Sequence, residues 1–193
     1  MNWQTFLNPF DKFSEKSIFI FGILAAIIGS YITFFCGATY DGLIEVHLNP
    51  ETTFLIALKE NSLHVVLVTV LLFVFGKIIN KRTRFIDILN AGLLFRVPFY
   101  LMSLLMIFPF LQSIDDEIKK NPEAVGKLSF KPFDLVMIIL ITCFLIALLV
   151  YSITLLFNGF KTATNAKKPL HYVVFGVIIL FAEILSRIIL PLI

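Results

Sequence analysis

The sequence predicts an all-α, polytopic membrane protein with five transmembrane helices. Hydrophobic residues make up 59% of the 193 residues and charged residues only 15%, whereas soluble domains carry about 25% charged residues. The apolar residues are grouped in five blocks, each long enough for the roughly 20 helical residues that cross a bilayer core. Because lipid offers the backbone no hydrogen-bonding partner, each block is expected to be a helix and not an open strand.

The five predicted spans form one membrane domain over residues 1–193. Their approximate bounds are 17–37, 62–79, 88–111, 133–157 and 170–193. The two longest connections, 38–61 and 112–132, are too short to fold as separate domains. No internal repeat is visible, so symmetry does not indicate an inverted-repeat transporter.

Residues 1–16 precede the first span and are predicted to be a cytoplasmic, interfacial segment. Aromatic and apolar side chains followed by lysines are typical of a segment that lies in the headgroup layer. Anchoring is the expected role, and sensing of membrane curvature is the alternative. The residues that indicate this segment are Trp3, Phe6, Leu7, Phe10 and Phe13, interrupted by Pro9 and followed by Lys12 and Lys16.

Basic residues are distributed unevenly between the two sides of the predicted bundle. Nine lie in or beside the N-terminal segment, the second-to-third connection and the fourth-to-fifth connection. The other two connections hold five basic and eight acidic residues, among them Lys127 and Glu123. The positive-inside rule therefore predicts a cytoplasmic N-terminus and, after an odd number of spans, an external C-terminus.

Three charged residues lie inside predicted spans and form, with Tyr100, a candidate intramembrane polar site. Arg96 is in the third span, and Glu183 and Arg187 are four residues apart in the fifth. A charge near the bilayer centre costs at least about 2.5–3.5 kcal/mol, so each needs a partner or water. We expect an Arg96–Glu183 or a Glu183–Arg187 ion pair that faces the bundle interior. The pair either fixes helix packing or forms a site for an ion, a proton or an anionic headgroup, and Arg187 has the further option of extending to the interface.

The third span should face protein along the stripe Gly92, Arg96, Tyr100 and Ser103. Pro98 lacks a backbone donor and is predicted to kink this helix.

The first span carries small residues along one side, which allow helices to approach closely. Core packing is the expected meaning, and homodimerisation is the alternative. Spans one, three and five are expected to form the interior and span two the lipid-facing side. The small residues of the first span are Gly22, Ala25, Ala26, Gly29 and Thr33.

No chemical motif indicates a catalytic, cofactor-binding or metal site. The three histidines, His47, His64 and His171, lack the spacing of metal ligands, and no serine or cysteine lies in a nucleophile motif. The acidic run from Asp115 to Glu117 lacks an EF-hand pattern and is expected to be a solvated loop. The small net charge of +3 gives no indication of nucleic-acid binding.

Several local features accompany the five-span layout. They are Asn8-Pro9 and Phe13 before the first span, Lys77 and Arg84-Phe85-Ile86-Asp87 before the third, Arg96-Val97-Pro98 within it, and the basic loop before the last span. Together they resemble the Yip family of Ypt/Rab-interacting membrane proteins, in a short prokaryotic form. The resemblance implies five membrane helices and a cytoplasmic N-terminus. Eukaryotic members are implicated in vesicle trafficking and Rab GTPase binding, but their Asp-Leu-x-Gly-Pro motif does not occur here. The expected home is therefore a bacterial inner membrane.

The expected function is that of a non-enzymatic scaffold that interacts with lipid, with protein partners or with a second copy of the chain. The alternative is a small channel or transporter that uses Arg96 and Glu183. A membrane-embedded enzyme is a third hypothesis, and a single intramembrane acid without a nucleophile or metal set speaks against it.

Overall fold

The structure is a computed structural model that describes residues 3–120 and 131–192. Over these residues it contains seven α-helices, one two-stranded sheet and two short 3₁₀ turns. The helices are α1 (Trp3–Leu7), α2 (Glu15–Phe35), α3 (Phe54–Ile79), α4 (Phe85–Leu105), α5 (Pro109–Lys120), α6 (Pro132–Thr164) and α7 (Pro169–Ile189). The strands are β1 (Ala38–Thr39) and β2 (His47–Leu48), and the 3₁₀ turns are Pro9–Asp11 and Leu190–Leu192.

Five helices are long and apolar enough to cross a membrane, which confirms the predicted all-α, five-span fold. These are α2, α3, α4, α6 and α7. The second span begins at Phe54 and not at residue 62, because the Thr53 hydroxyl caps the helix by accepting a hydrogen bond from the Ile56 amide at 3.3 Å. The third span ends at Leu105 and not at residue 111, and α5 starts as a separate helix at Pro109.

The five spans run alternately up and down, which brings the loops to two ends of the bundle. We call one the basic end, because Lys77, Lys81, Arg82, Arg84, Lys161, Lys167 and Lys168 lie there. We call the other the loop end, because the connection between α2 and α3, here named the first loop (36–53), lies there.

Helix α4 is the central element of the bundle. In its most apolar 18-residue window 72% of the residues are buried, and α2, α3 and α6 pack around it. Helix α7 packs mainly against α3.

The prediction that span two faces lipid most is wrong. One third of the corresponding window of α3 is buried (33%), whereas none of the window of α6 is (0%). Helix α3 turns inward because it carries polar residues along one face, including Asn61, His64 and Thr69. The most exposed apolar window belongs to α6, whose later turns, from Leu148 to Thr164, contribute buried residues to the packing.

Small residues of α2 pack against α4, as predicted. Gly22 and Gly29 are buried, and Ala25 and Ala26 are partly buried. A Cβ atom on Gly22 would lie 2.8 Å from the Leu93 Cβ, and one on Gly29 would collide with the Tyr100 ring. The absence of side chains at these two positions therefore sets the distance between α2 and α4.

Helix α4 continues through Pro98 without interruption of its α-helical assignment. The kink at Pro98 stays a prediction.

The third connection is not a plain solvated loop as predicted. Its first part forms the amphipathic helix α5, in which the Asp115 carboxylate pairs with the Lys119 ammonium at 2.6 Å. An i,i+4 pair of this kind favours a helix over a loop. Glu123 and Lys127, which entered the charge comparison, lie outside the described residues.

The N-terminal segment lies against α6. The Tyr151 hydroxyl donates to the Phe6 carbonyl oxygen at 3.1 Å, and the Asn158 amide donates to the Leu7 carbonyl oxygen at 2.8 Å. Phe6, Leu7 and Phe13 keep between 41% and 51% of their surface exposed. The segment is therefore hydrogen-bonded to α6, and several of its apolar side chains stay partly exposed.

Candidate functional site

The predicted polar stripe of α4 faces the interior. Gly92, Arg96, Tyr100 and Ser103 are all buried, and Arg96 is 0% exposed. The stripe meets two partners, namely the polar face of α3 and the first loop, which turns back between the helices at the loop end.

Arg96 is bound by neutral groups. Its Nε donates to the Asn61 side-chain oxygen at 3.0 Å, and its Nη1 donates to the Leu43 carbonyl oxygen at 2.9 Å. The guanidinium carbon lies 4.2 Å from the centre of the Tyr40 ring and 4.5 Å from that of Phe99. Two ring faces at this distance stabilise a desolvated cation.

Of the two predicted ion pairs, the structure contains one. Arg187 Nε lies 2.7 Å from Glu183 Oε1, whereas no carboxylate pairs with Arg96 within the described ranges. Glu183 is buried, but the Arg187 side chain is 53% exposed. Arg187 also pairs with Glu45 of the first loop, so it lies at the loop end and not in the interior.

Tyr100 belongs to the same network as Arg96. Its hydroxyl donates to the Asn61 side-chain oxygen at 3.2 Å and receives a hydrogen bond from the Asn61 amide nitrogen at 3.0 Å. The same nitrogen lies 3.2 Å from the Ser30 hydroxyl oxygen. Asn61 therefore joins α2, α3 and α4.

The first loop enters the bundle interior, which the sequence did not predict. Ala38, Tyr40 and Leu43 are 0% exposed. The strands at its two sides pair antiparallel, with Ala38 opposite Leu48 and Thr39 opposite His47. This short ribbon closes the loop so that its middle residues reach inward.

Glu60 on α3 binds the start of the loop. One carboxylate oxygen accepts from the Thr39 hydroxyl at 2.7 Å and the other accepts from the Tyr40 amide at 2.9 Å. Sequence analysis assigned Glu60 to the loop itself and missed this role. The available signal was the spacing of Glu60, Asn61 and His64, which places three polar groups on neighbouring positions of one helix.

Glu183 and Ser186 on α7 bind the middle of the loop. Glu183 accepts from the Ile44 amide at 3.0 Å, and the Ser186 hydroxyl oxygen accepts from the Leu43 amide at 3.1 Å. A Cβ atom on Gly42 would lie 2.8 Å from one Glu183 carboxylate oxygen and closer to the other. The loop backbone therefore approaches the Glu183 carboxylate closely at Gly42.

Tyr40 fastens the loop to α2 and α4 through its hydroxyl, which lies 2.6 Å from the Thr33 hydroxyl and 2.9 Å from the Ser103 hydroxyl. Burial raises the pKa of this phenol above its ordinary value of 10.0, although the nearby Arg96 cation acts in the opposite direction. The phenol is therefore held as a neutral hydrogen-bonding group.

We give the name loop clamp to four of the helix residues that bind this loop, Glu60, Arg96, Glu183 and Ser186. Their bonds go to backbone or hydroxyl groups of the loop, so the arrangement holds a segment in place. Within residues 3–120 and 131–192, no group of three potential ligands could hold a metal ion.

A few buried polar atoms beside the clamp lack a hydrogen-bonding partner among the described residues. They are Arg96 Nη2, both ring nitrogens of His64 and the Thr69 hydroxyl oxygen. Buried polar groups are normally satisfied, so these atoms are exceptions among the described residues.

Comparison with known proteins yields no relative: no family model, no curated protein and no solved structure matches the chain. Its function is therefore inferred from the geometry of the clamp and of the surfaces around it.

Proposed function

We propose that the chain is a non-enzymatic integral membrane scaffold of the Yip-like type, which interacts with lipid and protein partners in membrane organisation or trafficking. The observation that carries this proposal is the use of the intramembrane charges. Glu60, Arg96 and Glu183 all bind the first loop. Charged residues that hold a loop in place make the helix bundle rigid. A rigid bundle suits a scaffold better than a channel or transporter.

The outer surface of α6 is available to a partner within the membrane, because its apolar window has the smallest buried share of the five spans. Ile139, Phe144 and Val150 are 60%, 51% and 57% exposed. Lipid covers such a surface in an isolated protein, and a helix of a partner covers it in a complex.

A photo-crosslinking amino acid at positions 139, 144 and 150, used in native membranes, tests the scaffold function. We expect discrete protein adducts from at least one of the three positions. Position 156 is the matched control, because Leu156 on the same helix is 0% exposed and should form no intermolecular adduct. The scaffold function would be contradicted by two results together. All three positions would form adducts with lipid alone, and the chain would leave vesicle morphology unchanged.

The proposed location is a bacterial inner membrane, with the N-terminus in the cytoplasm and the C-terminus outside. The concentration of lysine and arginine at the basic end supports this orientation. A single cysteine at position 167, in a chain with Cys36→Ser and Cys143→Ser, should resist an impermeant thiol reagent in sealed cells. A cysteine at the exposed position 51 should react, and the reverse pattern would overturn the orientation.

A small channel or transporter is the second candidate, and the unpartnered atoms beside the clamp favour it. Arg96 Nη2 and the His64 ring nitrogens are buried without a hydrogen bond to any described residue, as polar groups that transiently bind a small anion would be. Proteoliposomes loaded with a halide-sensitive dye test this function. Anion flux that disappears in Arg96→Gln would favour the channel, and the absence of flux from the wild-type chain would remove it.

A further inference from the structure

A second polar region lies at the basic end, away from the loop clamp. A cavity of about 210 Å³ opens there between the N-terminal segment and the first turns of α2 and α4. Its wall includes Phe10, Phe13, Glu15, Asp87, Asn90 and Thr162.

The charged groups in the wall of this cavity are carboxylates. Glu15 is paired with Arg84, whose Nη1 lies 2.6 Å from its Oε2, and the Arg84 side chain is 60% exposed. Asp87 forms no hydrogen bond or ion pair with any described residue, although it lies near enough to Arg84 to interact electrostatically. The cavity therefore contains one carboxylate that is free to bind a cation.

Asn90 adds a buried hydrogen-bond acceptor to the same wall. Its amide nitrogen donates to the Glu15 carbonyl oxygen at 3.1 Å, which fixes the orientation of the side chain. Its Oδ1 has no partner among the described residues, and Asn90 is 2% exposed. A buried acceptor of this kind is normally satisfied by a donor, so the cavity lacks a group that donates hydrogen bonds.

Two aromatic rings complete the wall, and one of them, Phe10, lies against a glycine. A Cβ atom on Gly159 would lie 2.7 Å from the Phe10 ring and 2.5 Å from the Ala91 Cβ. Ring faces attract cations, above all in partly desolvated sites. A ligand that is both cationic and a hydrogen-bond donor fits the free carboxylate, the open acceptor and the rings together.

The position of the cavity indicates where such a ligand comes from. It lies where the membrane spans α2 and α4 begin, at the level of the lipid headgroups. Lys12 reaches the rim, because its ammonium lies 5.8 Å from the centre of the Phe13 ring. An ammonium inside the cavity and a phosphate beside Lys12 would match the charges of an aminophospholipid.

We propose that this cavity binds the primary ammonium of an aminophospholipid headgroup, with Asp87 and Asn90 as its acceptors. The inference rests on the proposed function, because it names a lipid that the scaffold would recognise. A quaternary ammonium cannot donate a hydrogen bond to either acceptor, so phosphatidylcholine is discriminated against. An anionic headgroup without an amine, such as that of phosphatidylglycerol, is repelled by the carboxylates.

Native mass spectrometry of the full chain tests this proposal. The protein is released from detergent that contains equal amounts of phosphatidylethanolamine, phosphatidylcholine and phosphatidylglycerol. We expect preferential retention of phosphatidylethanolamine and about a tenfold loss of that preference in Asp87→Asn, the size of one lost charge-assisted hydrogen bond. Asp134→Asn is the matched control, because Asp134 is also a first-turn acid of a membrane helix but lies outside the cavity wall.

Phe13→Leu removes one ring from the cavity wall. Because Phe13 is 51% exposed, this change does not disturb the core. It should also lower the preference for phosphatidylethanolamine. Equal retention of the three lipids, or equal preference in Asp87→Asn and the wild type, would overturn the proposal. If free ethanolamine bound as strongly as phosphatidylethanolamine, the cavity would be a site for small amines. The assignment to a lipid headgroup would then be overturned. None of these outcomes alters the photo-adducts expected on α6, so the scaffold function stands or falls separately.

Discussion

Arg96 donates from Nη1 to the carbonyl oxygen of Leu43 at 2.9 Å, although Arg96 lies within α4 and Leu43 belongs to the first loop. Both residues are 0% exposed. A cation that is removed from water needs polar partners, and here part of that requirement is met by the backbone of an inserted loop. The intramembrane arginine and the shape of the loop therefore depend on each other.

Arg96→Gln should destabilise the protein. The shorter side chain leaves the Leu43 carbonyl without its donor, whereas the Asn61 side-chain oxygen still accepts from Tyr100. One buried acceptor left unsatisfied costs about 1–3 kcal/mol, and the free energy of unfolding in a denaturing detergent should fall by that amount. Arg187→Gln is the control, because a half-exposed ion pair contributes about 0–1 kcal/mol. Equal losses from both variants would show that the interior position of Arg96 has no special role.

Glu60→Gln should loosen the start of the first loop. The carboxylate accepts from both the Thr39 hydroxyl and the Tyr40 amide, and the amide group of glutamine provides only one acceptor. Loss of a charge-assisted hydrogen bond worth about 1.5–3 kcal/mol should speed hydrogen exchange at the Tyr40 amide by roughly ten- to a hundredfold. Glu51→Gln, at an exposed position of the same loop, should leave that rate unchanged. Unchanged exchange in Glu60→Gln would mean that Glu60 does not hold the loop.

Gly29→Ala should separate α2 from α4. The added Cβ would collide with the Tyr100 ring, and overpacking of this kind costs typically about 1–3 kcal/mol. Gly176→Ala is a matched control, because a Cβ on that helical glycine meets nothing within 4 Å; it should be neutral or stabilise by up to about 1 kcal/mol. Thermal unfolding in detergent measures both. Equal melting temperatures would contradict the close contact.

High pH should release the loop through Tyr40. Burial raises the pKa of its phenol above 10.0 in the folded protein, so the folded state holds this proton more tightly than the unfolded state. The contribution to stability is therefore complete below pH 10 and is lost as the pH rises through the folded pKa. Tyr40→Phe lacks this titration, so its melting temperature should fall less between pH 9 and pH 11 than that of the wild type. Parallel curves for the two proteins would refute the linkage.

The number of membrane-spanning helices could be predicted, because it depends on the number and length of the apolar blocks. Apolar blocks of sufficient length must become helices in lipid, and residues such as Gly29 and Arg96 then indicate which face of a helix is inward. The helix ends were less predictable. Lys59, Glu60 and Asn61 interrupt the apolar pattern, yet they are helical because Glu60 and Asn61 are satisfied by tertiary contacts.

The loop clamp could not be predicted from the sequence. Its bonds run from side chains of α3, α4 and α7 to backbone groups of the first loop, and backbone groups are the same in every residue. The sequence favours Glu183 as a partner for Arg96, because opposite charges attract. In the structure Arg96 contacts an amide oxygen, a carbonyl oxygen and two rings, while Glu183 binds Arg187 and the Ile44 amide.

Thiol accessibility in the first loop is the most direct test of the central claim, that this loop is held inside the bundle by the clamp. In a chain with Cys36→Ser and Cys143→Ser, single cysteines replace Asp41, which is 58% exposed, and Leu43, which is 0% exposed. A water-soluble maleimide should label position 41 rapidly and leave position 43 protected, and Arg96→Gln should make position 43 reactive. Equal labelling of the two positions in the otherwise wild-type chain would contradict the inserted loop.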